Sequence, residues 1–443
     1  MDVHLAVSVA LQDAGEATRS VELARGMRES CPPGWRIRCT FLSHGSRFET
    51  MVREAGFDVH QCRPAMEGRS VADDLHIEFP QPRQVIGSTE LAHALIQGQR
   101  EALESLRPDV VLHGFWPVGN LASRLLGLPR ICFLPIPLHP DCVAGSLLQD
   151  VPDQVPLLSE LPQPLRRALI RAIPGFVKRD LIGLPQQRLR DAAVRAGWQG
   201  RPPQSILDML EADLTLVNDL PDFYEDMRLP EGLHVTGPLF APASEHVELD
   251  PAIVEVLAPE HRATRVLCTM GSSGTRAAFL EAVRAVSRGG GGRWHAVIAA
   301  SPAVCPIADA RACAGERPGL VVTDRFLPAP AVNALADVVV CHGGQGTVQT
   351  AMASGTPLVG AAMQMEQQIN LDHIERRGAG IRVPLRRWRS HEVASAIERV
   401  LRDPAYREAA RRLQRSIAAC DGRKAAAVCI WEHLTRHRVG RPA

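Results

Sequence analysis

The residues best placed to do chemistry lie in the stretch 341–360, CHGGQGTVQTAMASGTPLVG. An apolar run at 338–340 precedes it and a helical run follows. Glycines at 343, 344 and 346 let the backbone turn sharply and approach a ligand closely. A helix starting near Thr347 offers free N–H groups and the positive end of its dipole to an anion. His342 adds a donor at the same point, and a diphosphate is the ligand that fits. A ligand-free strand-to-helix turn would use the same glycines, so a second observation is needed. It comes from Gly271-Ser272-Ser273-Gly274, which also follows a strand-like run (265–270) and precedes a helical one (276–286). Two such loops at the carboxyl ends of strands in one sheet face the same crevice.

The elements that must position these loops follow from periodicity. In the first half, strands are expected at 3–10, 36–42, 109–112 and 130–134, with helices at 19–28, 46–55 and 120–126. Strands at 213–217 and 233–236 follow. In the second half, strands are expected at 265–270, 295–300, 319–323, 337–341 and 357–360, with helices between them and two more at the end. Strand and helix in alternation imply a parallel, doubly wound sheet in each half. Residues 289–292, four glycines, read as a helix-to-strand turn and not a phosphate loop.

Length and composition set the frame. A chain of 443 residues exceeds one ordinary core, so two domains are expected. These are an N-terminal domain over 1–236, a linker at 237–250, a second domain over 251–418, and a terminal helix at 419–443. The Pro-, Leu- and Arg-rich stretch 135–198 reads as a helical insert over the mouth of the first domain, or as plain helical packing. A formal net charge of +1 gives no footing for a nucleic-acid partner. No apolar run is long enough for a membrane span. Eleven scattered cysteines without a Cys-x-x-Cys pair suit reduced thiols, a cytoplasmic location and no structural zinc. The Arg-rich stretch 382–389 is expected to be a solvated face, and His4 and His295 to be packed. His44 and His139, each after a strand, are candidates to line a cleft. Phe115 and Trp116 either floor an acceptor pocket or belong to the core.

The segment 326–380 resembles the donor signature of the glycosyltransferases that act on plant secondary metabolites, macrolides and glycopeptides. The elements carrying the resemblance are Phe326-Leu327-Pro328, His342-Gly343-Gly344-x-Gly346-Thr347, Gly355-x-Pro357, Glu366-Gln367-x-x-Asn370 and Gly378-x-Gly380. GPLF at 237 and MGSSG at 270 also fit. The resemblance implies an α/β protein of the GT-B fold, with two facing Rossmann-like domains, parallel sheets and the active site in the cleft between them. It also implies a last helix that crosses back to the first domain. His342, Gly344, Gly346 and Thr347 would hold the diphosphate, with Ser272 and Ser273 close by. Glu366 and Gln367 would bond the donor sugar, and Phe326 and Leu327 would flank the nucleobase. The leaving nucleoside diphosphate gains charge as the glycosidic bond breaks, and donors already aimed at it lower the barrier. No Asp-x-Asp triplet occurs, consistent with transfer without a metal or other cofactor. The partners implied are a nucleotide-sugar donor and a small-molecule acceptor, for a monomer or homodimer.

There are two departures from the family pattern. Where members using ribonucleotide donors carry a Glu for the ribose, this chain has Thr350, which points to a dTDP sugar or to a water-filled gap beside a UDP sugar. The family's catalytic His after the first strand is replaced by Glu16, and His113 stands near the place of its usual Asp partner. A base must reach the acceptor hydroxyl and titrate near the working pH, which a carboxylate does only when buried. The expectation is an inverted dyad in which Glu16 and His113 face each other, with Asp13 in reserve. The alternative makes Glu16 a helix N-terminal charge and His113 a packing residue. Competing readings are a non-catalytic auxiliary protein of the same fold and a nucleotide-sugar epimerase. A dinucleotide oxidoreductase is disfavoured, because Gly-x-Gly-x-x-Gly is missing after the first strand.

Overall fold

The computed structural model describes residues 1–12, 14–46, 48–66, 84–153, 155, 157–241 and 249–437. The chain forms two compact units. One comprises Met1–Leu147, Ile173–Ala241 and Asp421–Ala443, and the other Leu148–Ala172 and Pro242–Cys420. The stretch expected as one insert over 135–198 therefore divides: its central part, Leu148–Ala172, packs with the second unit. Among the described residues no helix is long and apolar enough to cross a membrane.

The first unit holds β1 (Asp2–Ser8), β2 (Arg36–Ser43), β3 (Asp58–Gln61), β4 (Val110–His113), β5 (Arg130–Leu134), β6 (Leu214–Val217) and β7 (Leu233–Val235). They form a parallel sheet in the order β3-β2-β1-β4-β5-β6-β7. Central strands read as unbroken apolar runs because helices cover both faces of a parallel sheet. Leu5, Val7, Leu112, Phe133 and Leu216 meet the Ala14–Glu29 helix in one core cluster. The terminal Gly422–Arg436 helix joins that cluster through Ala426, Ile430 and Trp431. The Trp431 indole donates to the Met27 carbonyl at 3.1 Å.

The second unit holds β8 (Arg265–Thr269), β9 (His295–Ala299), β10 (Leu320–Thr323), β11 (Val338–Cys341), β12 (Leu358–Gly360) and β13 (Gly380–Arg382). Their order is β10-β9-β8-β11-β12-β13, again all parallel. In both sheets the chain winds outward one way, returns to the centre, and winds the other way. The reversal falls between β1 and β4 in one sheet and between β8 and β11 in the other. At such a point the loops leaving neighbouring strands splay apart and open a crevice at the carboxyl edge.

Arg382, expected on a solvated face, is buried at the end of β13. Its guanidinium pairs with Asp150 at 2.5 Å, Asp153 at 2.8 Å and Asp372 at 2.7 Å. Arg166 closes on Asp150 with two bonds of 2.9 and 2.8 Å. A buried charge is tolerated only when paired, and breaking such a pair by removing one partner is strongly destabilising. Gln368 adds two backbone bonds, accepting from Asp153 N–H at 2.9 Å and donating to the Val151 carbonyl at 3.1 Å. The 148–172 segment is thereby locked to the Met365–Arg376 helix, which also carries Glu366 and Gln367.

Burial has a consequence for stability against pH. It pulls His44, His113 and His342 down to about 4 and His373 to about 3, from an ordinary value of 6.5. Between pH 6.5 and 4 the unfolded chain binds protons these rings refuse. Their stabilisation is complete above 6.5 and is lost as pH falls, at roughly 3 kcal/mol each. Asp372 works the other way: burial, with Asp150, Glu375 and Asp153 nearby, pushes it up to about 7 against the pull of Arg382. Four histidines outweigh one carboxyl. The urea midpoint is expected to fall steadily between pH 6.5 and 4; a midpoint that holds constant or rises over that range would contradict this assignment of neutral buried rings.

Candidate functional site

The donor-side loops leave the two strands that flank the reversal in the second sheet. Gly271–Gly274 follows β8, and His342–Gly344 follows β11. They meet on one side chain, the buried imidazole of His342. A Cβ on Gly271 would come within 2.5 Å of its Cε1, and a Cβ on Gly344 within 2.5 Å of its Nε2. Gly271 also has a φ of +55°. Both glycines are thus required by close approach to one ring. His342 Nδ1 is buried and has no hydrogen-bond partner among the described residues. Desolvation holds the ring neutral, down to about 4.

Immediately after the ring, the Gln345–Ala353 helix begins with no side-chain cap. Its first N–H groups remain available to a ligand. Gly346 is exposed, and a Cβ there would meet nothing within 4 Å. The space in front of the helix terminus is open, and Thr347 stands half-buried beside it. Uncapped N–H groups, the helix dipole and the imidazole together make an anion-binding corner.

The Met365–Arg376 helix supports this corner from below. Asn370 donates to the Gly343 carbonyl at 3.0 Å and to the Glu366 carboxylate at 2.6 Å. Gln367 is buried, and its oxygen accepts from Met363 N–H at 2.8 Å and Gln364 N–H at 3.2 Å. Its nitrogen donates to Ser273 Oγ at 3.1 Å. Gln367 therefore ties the Gly271–Gly274 loop to the start of its own helix, a positioning role the sequence did not suggest. Glu366 is half-buried, and Ser272 is exposed. Thr350 spends its hydroxyl proton on the Gly346 carbonyl at 2.8 Å, so it faces outward as an acceptor without charge. Phe326, on the turn after β10, is 89% exposed with Leu327 half-buried beside it.

In the first unit, Glu16 sits in the first turn of the Ala14–Glu29 helix and is only 4% exposed. Its Oε2 accepts from the Ala10 N–H at 3.2 Å. Its Oε1 lies 2.3 Å from where a Cβ of Gly114 would be, so the carboxylate leans on the loop after β4. Glu16 and Gly114 thus meet at the reversal between β1 and β4. His113 does not face Glu16. Its Nδ1 bonds the Gly114 carbonyl at 3.0 Å and its Nε2 the Asn120 amide at 3.1 Å, in the interior. Those bonds fix a neutral tautomer and occupy both nitrogens, and the cause is Asn120 on the Pro117–Leu125 helix, seven residues on. Asp13 lies outside the described residues.

His44, after β2, is different. Its Nδ1 donates to the Pro64 carbonyl at 2.9 Å, and its buried Nε2 has no partner among the described residues. The edge of the Trp116 indole lies 6.4 Å away between ring centroids. Ser46 bonds the Leu11 carbonyl, lacing the His44 loop to the one that carries Glu16. The sequence marked His44 as a candidate to line a cleft and gave it no part in proton transfer, since nothing local shows how its two nitrogens are bonded.

Residues 304–423 match the family described as erythromycin biosynthesis protein CIII-like, C-terminal domain. The chain is 27% identical over 339 residues to a PGL/p-HBAD biosynthesis glycosyltransferase of Mycobacterium tuberculosis, spanning 74% of this chain and 71% of that protein. The kitacinnamycin glycotransferase superposes with a TM-score of 0.67 at 21% identity, over 98% of this chain and 100% of the other. A spinosyn rhamnosyltransferase crystallised with thymidine diphosphate superposes with a TM-score of 0.60 at 19% identity, over 96% and 99%. Two parallel Rossmann-like sheets with these relatives define a GT-B protein. By these likenesses the chain is a glycosyltransferase, similar to those that use nucleotide-sugar donors.

Because two loops share one ring, Gly271→Ala is expected to displace the His342 imidazole while the sheet beneath stays folded. Nucleoside diphosphate affinity should fall on the order of tenfold or more, the loss of one good donor to a charged group, with a thermal midpoint changed by only a few degrees. Unchanged affinity in isothermal titration would show that the ring does not serve the anion.

Proposed function

We propose that the chain is an inverting, metal-independent transferase that moves a sugar from a dTDP sugar to a hydroxyl of a small-molecule biosynthetic acceptor. The observation that carries this reading is the corner formed by His342 and the uncapped Gln345–Ala353 helix. In the reaction the acceptor oxygen attacks the anomeric carbon as the bond to the diphosphate breaks. The electron pair leaves with the diphosphate, where the helix N–H groups and the His342 N–H meet the growing charge. Glu366, whose carboxylate Asn370 orients, is placed to take a sugar hydroxyl, and Phe326 to stack on the base.

Thymidine is favoured over uridine because Thr350 offers the sugar ring no carboxylate for a 2′-hydroxyl, its own proton being spent on Gly346. The thymidine diphosphate named with the spinosyn enzyme supports the same donor. The erythromycin-type family and the kitacinnamycin enzyme support a natural-product acceptor. Glu16 takes the acceptor proton. It is buried, sits at the reversal of the first sheet, and occupies the register where the family places its base. A single base and a single displacement give inversion. His44 is the second reading, on one specific observation: a neutral ring with Nδ1 fixed and Nε2 without a partner among the described residues.

Glu16→Gln is expected to lower kcat on the order of 10²–10⁴-fold with dTDP affinity retained, while His44→Gln changes kcat little. The reverse pattern in single-turnover assays would transfer the role to His44. Loss of nucleotide binding in Glu16→Gln would mean the residue serves the fold and not proton transfer.

A further inference from the structure

The buried charges around Arg382 do not cancel. Among the described residues the cluster buries three carboxylates, Asp150, Asp153 and Asp372, against two guanidiniums, Arg166 and Arg382. Glu375 and Arg167, half-buried at its margin, pair with each other at 2.8 Å and leave the difference unchanged. One negative charge is in excess, in an interior that tolerates charge only when it is paired. A proton on one carboxyl removes the excess. Hydrogen bonding says which carboxyl carries it. Asp150 accepts two bonds from Arg166, one from Arg382 and one from the Val151 N–H. Asp153 accepts from Arg382 at 2.8 Å and from the Leu385 N–H at 3.1 Å. Such bonds hold a carboxylate in its charged form. Asp372 Oδ1 lies 2.7 Å from Arg382 Nε, yet the two atoms make no hydrogen bond. Asp372 is thus the carboxyl least held as an anion.

The charged groups around Asp372 are Arg382 from β13, Asp150 and Asp153 from the 148–172 segment, and Glu375 on its own helix. The adjoining His373 ring is neutral, drawn down to about 3 by burial. Burial first, and the neighbouring carboxylates after it, push Asp372 up to about 7 against the pull of Arg382. The stability this contributes is complete below about 3.8 and is lost as pH rises through 7. The Met365–Arg376 helix joins the cluster to the donor corner. Gln368 ties it to the backbone of Val151 and Asp153, while Asn370 and Gln367 reach the Gly343 carbonyl and Ser273. We propose that Asp372 is a positioning residue for the donor side: it carries a proton while the 148–172 segment is docked, and ionising it loosens the helix that bears Glu366, Gln367 and Asn370. The inference rests on the donor reading above only in taking nucleotide affinity as one of its readouts.

The test is a pH series on the full chain, from about pH 6 to 9, a range in which the buried histidines stay neutral. Infrared spectra of protein with isotope-labelled aspartate should show the stretch of a protonated carboxyl at pH 6. It should be lost by pH 9 and be missing from Asp372→Asn throughout. Labelling aspartate alone leaves out the buried Glu22. Affinity for dTDP is taken relative to Asp372→Asn, so that the ligand's own protonation cancels. It is expected to fall by about fivefold or more over the series, the ordinary size of coupling between linked sites. Amide exchange over residues 148–172, as a ratio of wild type to Asp372→Asn at each pH, should rise about tenfold. Asp153→Asn leaves two carboxylates against two guanidiniums and should flatten both profiles, which a merely structural role would not do. A wild type without the protonated-carboxyl stretch at pH 6 would overturn the proposal, as would relative affinity and exchange that stay level. If dTDP bound at no pH, the donor reading would fail and the exchange ratio alone would decide this one.

Discussion

The proposed donor corner depends on a steric constraint: one imidazole fitted between two loops that cannot carry a Cβ at the point of contact. Gly271 and Gly344 approach His342 so closely that any larger residue must move the ring. The ring in turn fixes how the loops after β8 and β11 stand relative to each other. Everything else on that edge follows from this fit. The Gln345–Ala353 helix starts where the second loop ends, and its uncapped N–H groups point into the space that Gly346 leaves open. If the corner takes an anion as proposed, it needs no flexible lysine, because its donors are backbone groups already set by folding the helix.

Two further layers keep the corner rigid. Gln367 and Asn370 reach from the Met365–Arg376 helix to the loops above it. Beneath, Arg382 gathers Asp150, Asp153 and Asp372 and locks the 148–172 segment to the same helix. Carboxylates brought into the interior by one segment are matched by a guanidinium from a strand, and neither would be tolerated alone. The first unit repeats the topological device at its own reversal, where Glu16 and Gly114 meet. There the contact is between a carboxylate and backbone, so the group that is positioned is the one proposed to take the acceptor proton.

Much of the fold was legible because parallel strands buried on both faces read as unbroken apolar runs. The read strands agree with the observed ones to within about two residues at each end, as for β8, β9 and β11. The polar edge strand β3 and the three-residue β13 lack such a run and passed unseen. The donor loops were legible from glycine spacing, since glycine is demanded locally. What depends on distant partners was not. Arg382 looked like surface because Asp150 is 232 residues away in sequence. His113 looked like half of a dyad because its register beside Glu16 was plausible, whereas its orientation is decided by Asn120. The division of 135–198 likewise rests on ion pairs made across the chain, and not on any composition within the stretch.

The central claim is that the His342 corner binds the diphosphate of a donor nucleotide. Isothermal titration of dTDP and UDP into the wild type and His342→Ala tests it most directly. The account predicts micromolar binding by the wild type, tighter for dTDP than for UDP, and about tenfold to a hundredfold weaker binding by the variant, the value of a hydrogen bond to a charged group. Equal affinity of wild type and variant for both nucleotides would contradict it.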